Sequence, residues 1–375
     1  MIPAARASAI EAGPCGAPDP AAWDDLFARA RAPHPHYARH VVEAHRSAGL
    51  APAALRFVTV RRAGRLEAAL PYGLVHDVSA LGGRVARPFL SPFVTATAPL
   101  VADAPDADAV FDALVAGLAD ASGGRAWRWP LLPLENPAGA GLVAAMDRAG
   151  WRHARVAAFE RPVLDRRASH DAFLAGHPHK SRLKDLRRRA KRLDEAGAVT
   201  VETATGGPAL ARAVAAFLAL ERAGWKGAAG TAMACRPEHA AFARAAFGPT
   251  HGPLGARADI LALDGRPLAI SLALTGGGTA TLLKTAYDEA WRACAPGLLL
   301  EAEIVRACHD TAFADRLDSA TLPGSALEGL YRERETMAEI IAVPPGRDAL
   351  ALERRVRLAR FEHGAREAVK QRLGR

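Results

Sequence analysis

Twice in this chain a strand-like run breaks at a Gly-Arg turn and resumes as a second strand, and this repeat limits the fold more than any other feature. The first copy reads Val60-Arg61-Arg62-Ala63-Gly64-Arg65-Leu66 into Ala68-Ala69-Leu70, the second Leu263-Asp264-Gly265-Arg266-Pro267-Leu268 into Ala269. A short glycine-bearing break between apolar runs is a hairpin signal. Each hairpin precedes a helix-period segment, a strand and a further helix, which predicts a tandem duplication of one α/β unit. With 375 residues, half of them apolar, the chain is long enough for two cores of ordinary size.

Apolar periodicity and capping residues predict helices over residues 21–30, 37–48, 106–121 and 138–149, with strands over 55–61, 66–75, 126–131 and 154–164. A long charged helix over 171–196, interrupted at Pro178, opens the second half, followed by helices over 209–223 and 237–247. Three antiparallel strands come next, over 258–263, 267–275 and 279–286, with Asp264-Gly265-Arg266 and Gly276-Gly277-Gly278 as turns. A helix over 296–310, a strand over 316–319 and a helix over 326–339 complete this half. Residues 1–20, rich in Ala, Pro and Gly, predict a flexible arm. Residues 346–375 predict a basic helix whose stripe of Leu352, Val356, Ala359 and Phe361 packs on its own domain. The two domains therefore span 21–168 and 169–345.

The formal net charge is +9, which favours an anionic partner. Only six of the basic residues are Lys, at 180, 184, 191, 226, 284 and 370, so Lys226 and Lys284 stand out more than an average Arg. The segment from Lys180 to Arg192 sets eight cations against one Asp, yet it has no interleaved aromatics, which argues against a base-stacking surface for nucleic acid. Cys15, Cys235, Cys294 and Cys308 lack CxxC spacing, and the histidines at 34, 36, 40 and 45 belong to no HExxH motif, so neither a disulfide framework nor a metal is expected. No run approaches the roughly 18 to 20 apolar residues of a membrane span, and the start lacks the apolar segment of a signal peptide. A cytoplasmic location with no membrane span is the expectation.

The chemistry concentrates in the row Tyr287-Asp288-Glu289-Ala290-Trp291-Arg292-Ala293-Cys294-Ala295-Pro296-Gly297-Leu298, where a strand meets a helix through small residues. Helix N-termini present unpaired N–H groups and partial positive charge, and small side chains let a pyrophosphate approach them. Pro296 suits the first helical turn and Arg292 supplies a charge-assisted contact. No Ser or Cys sits in a nucleophile elbow, which points to direct transfer.

This row resembles the coenzyme A loop of the GNAT acyltransferases, with Arg292, Ala295 and Gly297 in the three key places and Ala295 where that family has Gly. The wider chain, from Trp23 to Met337, resembles the CelD/BcsL-like group of GNAT proteins, which is similar to the Fem aminoacyl transferases. The likeness rests on Trp23-Asp24-Asp25-Leu26, on the first hairpin, on His179-Lys180-Ser181-Arg182-Leu183-Lys184-Asp185-Leu186, on Glu221-Arg222-Ala223-Gly224-Trp225-Lys226-Gly227, and on Ala286-Tyr287-Asp288-Glu289 with Ala295-Pro296-Gly297. It implies an α/β (α+β) fold of tandem GNAT-like domains, each a mixed, mostly antiparallel sheet flanked by helices. It further implies acetyl-CoA or another acyl-CoA as co-substrate, held by the second domain, and transfer to an amine or hydroxyl; the expected acceptor is a small molecule or saccharide, and no metal is expected.

Under that resemblance Thr285, Ala286, Tyr287, Arg292, Ala293, Ala295, Gly297 and Leu298 bind the cofactor, with backbone N–H groups near 285–287 holding the thioester carbonyl. Candidates for the base are Glu221, Asp288 and Asp318, and Tyr287 or Tyr331 would protonate the leaving thiolate. Trp225, Lys226 and Lys284 are assigned to substrate, Lys284 because a cation on a buried strand demands a carboxylate or phosphate partner. Two alternatives stand beside this assignment: a Fem-like transferase drawing on aminoacyl-tRNA, and a non-catalytic protein of polysaccharide assembly.

Overall fold

A computed structural model describes residues 10–52, 55–250, 252–346 and 349–372. From the N-terminus come β1 (Ile10–Cys15), α1 (Pro20–Arg29), α2 (Arg39–Ser47), β2 (Arg56–Arg62), β3 (Arg65–His76), β4 (Arg84–Pro88), β5 (Leu100–Val101), α3 (Ala107–Ser122), β6 (Trp127–Pro133), α4 (Pro137–Arg148) and β7 (Arg152–Asp165). They are followed by α5 (His170–Ala175), α6 (Lys180–Asp194), β8 (Val199–Ala204), α7 (Gly207–Ala223), α8 (Trp225–Ala228), α9 (Pro237–Ala246), β9 (Gly255–Leu263), β10 (Arg266–Gly276) and β11 (Thr279–Tyr287). The chain ends with α10 (Pro296–Thr311), β12 (Arg316–Asp318), β13 (Glu333–Val343) and α11 (Ala349–Arg372). No described helix is long and apolar enough to cross a membrane.

Two compact units form, and both are discontinuous in sequence. Unit 1 takes Met1–Tyr37, Ala54–Phe159 and Thr336–Arg375; unit 2 takes Ala38–Ala53 and Glu160–Glu335. The boundaries drawn from sequence, 21–168 and 169–345, follow neither, because β7 and β13 each begin in one unit and end in the other. Strands of unit 1 run in the order β1-β2-β3-β4-β6-β13, with β5 on β3, and only the β4/β6 pair is parallel. In unit 2 the order is β12-β11-β10-β9-β8, antiparallel except for β11 with β12. A mixed, mostly antiparallel sheet flanked by helices is thus what the sequence predicts.

The repeated hairpin has a repeated backbone. Ala63 and Gly64 have φ of 49° and 80°, Asp264 and Gly265 of 50° and 76°, so both turns place two residues in the left-handed region. Such turns match the right-handed twist of their strands. Glycine takes the second place without strain, and Asp264 anchors the second turn by accepting the Ala198 N–H on its side chain at 2.9 Å.

Several expectations are corrected. Residues 10–15, assigned to the flexible arm, form β1, which pairs with β2 from Ile10↔Arg62 to Cys15↔Phe57; residues 1–9 lie outside the described part. The helix expected over 326–339 is a single 3-10 turn, Ala326–Gly329, followed by β13. The run Met337-Ala338-Glu339-Ile340-Ile341-Ala342-Val343 has a length and β-branched content that suit a buried strand, and its pairing with β6 outweighs the helical propensity of Ala and Glu. The interruption expected at Pro178 is present, between α5 and α6. The short strands β4, β5 and β8 are additions to the expected set, although Val199-Thr200-Val201-Glu202 of β8 alternates apolar and polar residues. In α11, Leu352, Val356 and Ala359 pack with Ala126, Val156, Ile341 and Val343, whereas Phe361 is 75% exposed and leaves the stripe.

A buried ion cluster closes unit 1. Arg128 of β6 donates through Nη1 to Asp77 Oδ2 at 2.9 Å and to Glu362 Oε2 at 2.6 Å, and through Nε to Glu339 Oε1 at 2.5 Å. Four distant stretches of sequence meet at one guanidinium, whose planar fork can satisfy three carboxylates at once.

Candidate active site

In unit 2 the strands β10 and β11 pair along their length, with a bulge where Leu272↔Lys284 gives way to Ala273↔Leu282. A bulge adds twist and re-aims the side chains beside it. On its other edge β11 pairs with β12 only at Thr279↔Arg316, Ala280↔Leu317 and Thr281↔Asp318. Past Thr281 no described strand occupies that edge, so β11 and β12 part, and the open stretch includes residues 285–287.

Beyond the open edge lies the small-residue turn. Asp288 caps it, accepting the Ala290 N–H at 3.0 Å while paired to Arg266 at 2.7 Å. A 3-10 turn, Glu289–Cys294, leads to Ala295, which has φ 52° and ψ 55°, and Pro296 then begins α10. An alanine in the left-handed region costs about 1 kcal/mol relative to glycine. Ala295→Gly is accordingly expected to raise stability by about 1 kcal/mol, read as a higher urea midpoint at unchanged m-value.

The turn's polar groups divide into engaged and open ones. Ala295 O accepts from Leu298 N and Leu299 N at 3.0 Å each, and Leu298 is buried, so that residue serves the helix and core. Ala293 O accepts from Arg189 of α6 at 2.6 Å. Arg292 is exposed and makes no ion pair among the described residues. A Cβ on Gly297 would meet Tyr287 Cδ1 at 3.4 Å and Thr285 Cγ2 at 3.6 Å, ordinary contact distances. The protein itself would therefore accept alanine at 297, and the space that a methyl would fill is free for a phosphate to approach the helix start.

On one side of β11 lies a recess of about 20 Å³ where Glu221, Trp225 and Lys226 face Thr285, Ala286 and Tyr287. Glu221, at the end of α7, is buried; its Oε2 accepts the Met233 N–H at 2.7 Å and its Oε1 the Lys226 Nζ at 3.1 Å. Lys284 Nζ lies 3.9 Å from the same Oε1, which supplies the carboxylate its burial demands. Burial holds the Lys284 pKa below its ordinary value, Lys226 adds to the shift, and Glu221 opposes it. Glu289 accepts the Trp225 N–H at 2.5 Å and so ties the small-residue turn to α8. Trp225 and Tyr287 are 57% and 37% exposed.

Asp318 is elsewhere: it is buried on β12, accepts the Ala320 N–H at 2.8 Å and lies 3.6 Å from Arg161 Nη1. The structure thus brings Glu221, Trp225, Lys226 and Lys284 to the end of β11, with Thr285, Ala286 and Tyr287, and sets Asp318 apart from that recess. Among the described residues no group of three His, Cys, Asp or Glu converges as a metal site.

One group was missed. Glu301 of α10 is buried and accepts from Ser271 Oγ at 3.0 Å and Thr285 Oγ1 at 3.1 Å, with Tyr331 OH at 3.5 Å. Burial pushes its pKa up to about 7, against the pull of the Ser271 and Thr285 hydroxyls. The signal was available: Leu298, Glu301, Val305 and Cys308 share the core-facing spacing of the helix, and an acid on that stripe requires partners.

Comparison with known families bears on this geometry. Residues 180–321 match the family model of the acetyltransferase (GNAT) domain. The match covers the elements from α6 to β12, including the open β11 edge and the turn into α10. No curated protein sequence matches the chain. Among solved structures, FemX is similar at 11% identity over 88% of this chain and 96% of that one, with a TM-score of 0.55. A conserved protein of unknown function from Bacteroides thetaiotaomicron is similar at 13% identity, over 87% and 97%, with 0.53. The C-terminal domain of a candidate lysylphosphatidylglycerol synthetase from Agrobacterium fabrum is similar at 14% identity, over 89% and 94%, with 0.51. At such identities the likeness shows a shared fold.

Proposed function

We propose that unit 2 transfers an acyl group, acetyl foremost, from acyl-CoA to an amine or hydroxyl of a small molecule or saccharide by direct attack. The observation that carries this is the open edge of β11 running into a small-residue turn at the start of α10, with Arg292 exposed beside it. Acyl-CoA, when bound, supplies the thioester electrophile. Arg292 and the first-turn amide of Gly297 hold its phosphates, and the stretch 285–287, paired to β10 on one side and open on the other, offers an outward N–H to the carbonyl. Glu221, which lines the recess beside that stretch, takes the acceptor's proton, with Lys226 and Lys284 holding the carboxylate in place. Tyr287, exposed at the mouth, is the donor for the departing thiolate. A recess of about 20 Å³ admits the attacking group of an acceptor and little more.

Isothermal calorimetry with acetyl-CoA tests the cofactor. Gly297→Ala is expected to weaken binding about tenfold, a loss of about 1.4 kcal/mol, without lowering the melting temperature. Absence of any heat from wild-type protein at high micromolar acetyl-CoA would exclude an acyl-CoA donor.

A specific surface favours a second reading, a transferase that draws on aminoacyl-tRNA. Lys180, Lys184, Arg187, Lys191 and Arg192 are exposed along α6, while Arg188 and Arg189 pair with Asp185. RNA binding through such a face would weaken steeply with salt, whereas coenzyme A binding at a preformed turn would weaken less. Copurification of RNA with a steep salt slope, together with no acetyl-CoA heat, would select this donor.

A further inference from the structure

Unit 2 contains a second cavity that shares no lining residue with the recess at Glu221. Its volume is about 470 Å³, within the range of roughly 300 to 1,000 Å³ usual for small-molecule pockets. Leu186 and Leu193 of α6 form one wall, Leu299 and Val305 of α10 the facing one, and Leu261 of β9 part of the floor, all of them buried. Lining residues extend from Lys180 to Asp194, the whole of α6, which at 1.5 Å per residue is about 21 Å. The lining runs the length of α6 and its depth is apolar, with buried Phe173 beside the aliphatic side chains. A sugar, base or peptide buried there would lose its hydrogen bonds to water without replacement, whereas an alkyl chain loses none.

Of the charged lining residues, Lys180, Arg187, Arg306 and Asp194 are exposed and mark the mouth, while Glu303 is half-buried beside Arg306. Arg306 is engaged by Glu303 at 2.5 Å and Asp310 at 3.6 Å. Lys180 and Arg187 make no ion pair among the described residues; Lys180 begins α6 and Arg187 stands at its middle, seven residues from both Lys180 and Asp194. An anionic head over the first half of α6, between Lys180 and Arg187, meets both cations and stays clear of Asp194, while the chain lies against the buried side chains of α6 and α10.

We propose that this cavity binds a long-chain fatty acid, its alkyl chain between α6, α10 and the β8–β9 edge and its carboxylate at Lys180 and Arg187. This site is independent of acyl transfer at β11. The full chain at pH 8 would be titrated calorimetrically with palmitate, kept below its critical micelle concentration, and with hexadecanol as the headless control. One palmitate per chain is expected to bind in the micromolar range. The double variant K180E/R187E, altered only at exposed positions, should weaken palmitate at least tenfold and leave hexadecanol within about twofold. Ala190→Phe, which fills the cavity from α6, should remove binding of both at an unchanged melting temperature. No palmitate binding by the wild type, or palmitate binding that K180E/R187E leaves unchanged, would overturn the site. Should Ala190→Phe fail to fold, the rim variant and hexadecanol decide alone.

Discussion

Glu221→Gln is expected to lower kcat for acetyl transfer by about 10²- to 10⁴-fold, the usual contribution of a positioned general base, while leaving the Kd for acetyl-CoA unchanged. The amide keeps the size and one acceptor of the carboxylate, so the Met233 N–H retains a partner, but it can no longer take a proton. Of the three carboxylates that the sequence offers as bases, Glu221 lines the recess beside residues 285–287. Asp288 caps the turn and pairs with Arg266, and Asp318 is turned to Arg161 and the Ala320 N–H. Single-turnover kinetics with the acceptor in excess would separate chemistry from binding. A variant that turns over within twofold of wild type removes Glu221 from the mechanism and leaves the donor site untouched.

Between pH 4.5 and 7 the protein is expected to lose about 3 kcal/mol of stability through Glu301 alone. Its carboxyl is raised from 4.5 to about 7 in the folded state, so the folded chain binds a proton that the unfolded chain has released across this range. The stabilisation is complete below about pH 4.5 and disappears as pH rises through about 7. Glu301→Gln, which stays uncharged, should remove this component. The difference in unfolding free energy between wild type and variant, measured in urea at several pH values, should therefore change by about 3 kcal/mol over that interval. Parallel curves would mean that the buried carboxyl titrates normally. Because Thr285 hydrogen-bonds to Glu301 and also stands on the open edge of β11, the same titration is expected to affect acetyl-CoA affinity.

Much of this was legible in the sequence, for reasons that differ between elements. The two Gly-Arg hairpins were readable because a turn with two left-handed residues leaves a local chemical mark, and the α10 turn because Pro296 and Gly297 are constrained by helix-start geometry. The Glu221, Trp225 and Lys226 group was singled out by its composition, and Lys284 by the cost of burying a cation. What brought the two together is the packing of α7 across β9, β10 and β11, which no single stretch encodes. Strand β13 was misread because residues 326–339 contain good helix formers and its strand state depends on a partner, β6, some 200 residues earlier. Glu301 was passed over within an apolar helix, and the ion cluster at Arg128 draws on four segments that are neighbours only after folding.

That cluster, with β13 and α11, also sets an order of events during translation. The β6 strand emerges early, yet the strand that pairs with Met337↔Pro133 and Ala342↔Trp127, and the helix that brings Glu362 to Arg128, are made only after residues 160–335 have passed. At about 5 to 20 residues per second, this leaves the β6 edge waiting roughly 10 to 40 s on the ribosome. Unit 2, although second in sequence, has nearly all its strands before unit 1 can finish its sheet. A nascent chain of this protein therefore presents an unpaired strand edge for longer than its size suggests, and its yield in cells depends on what shields that edge.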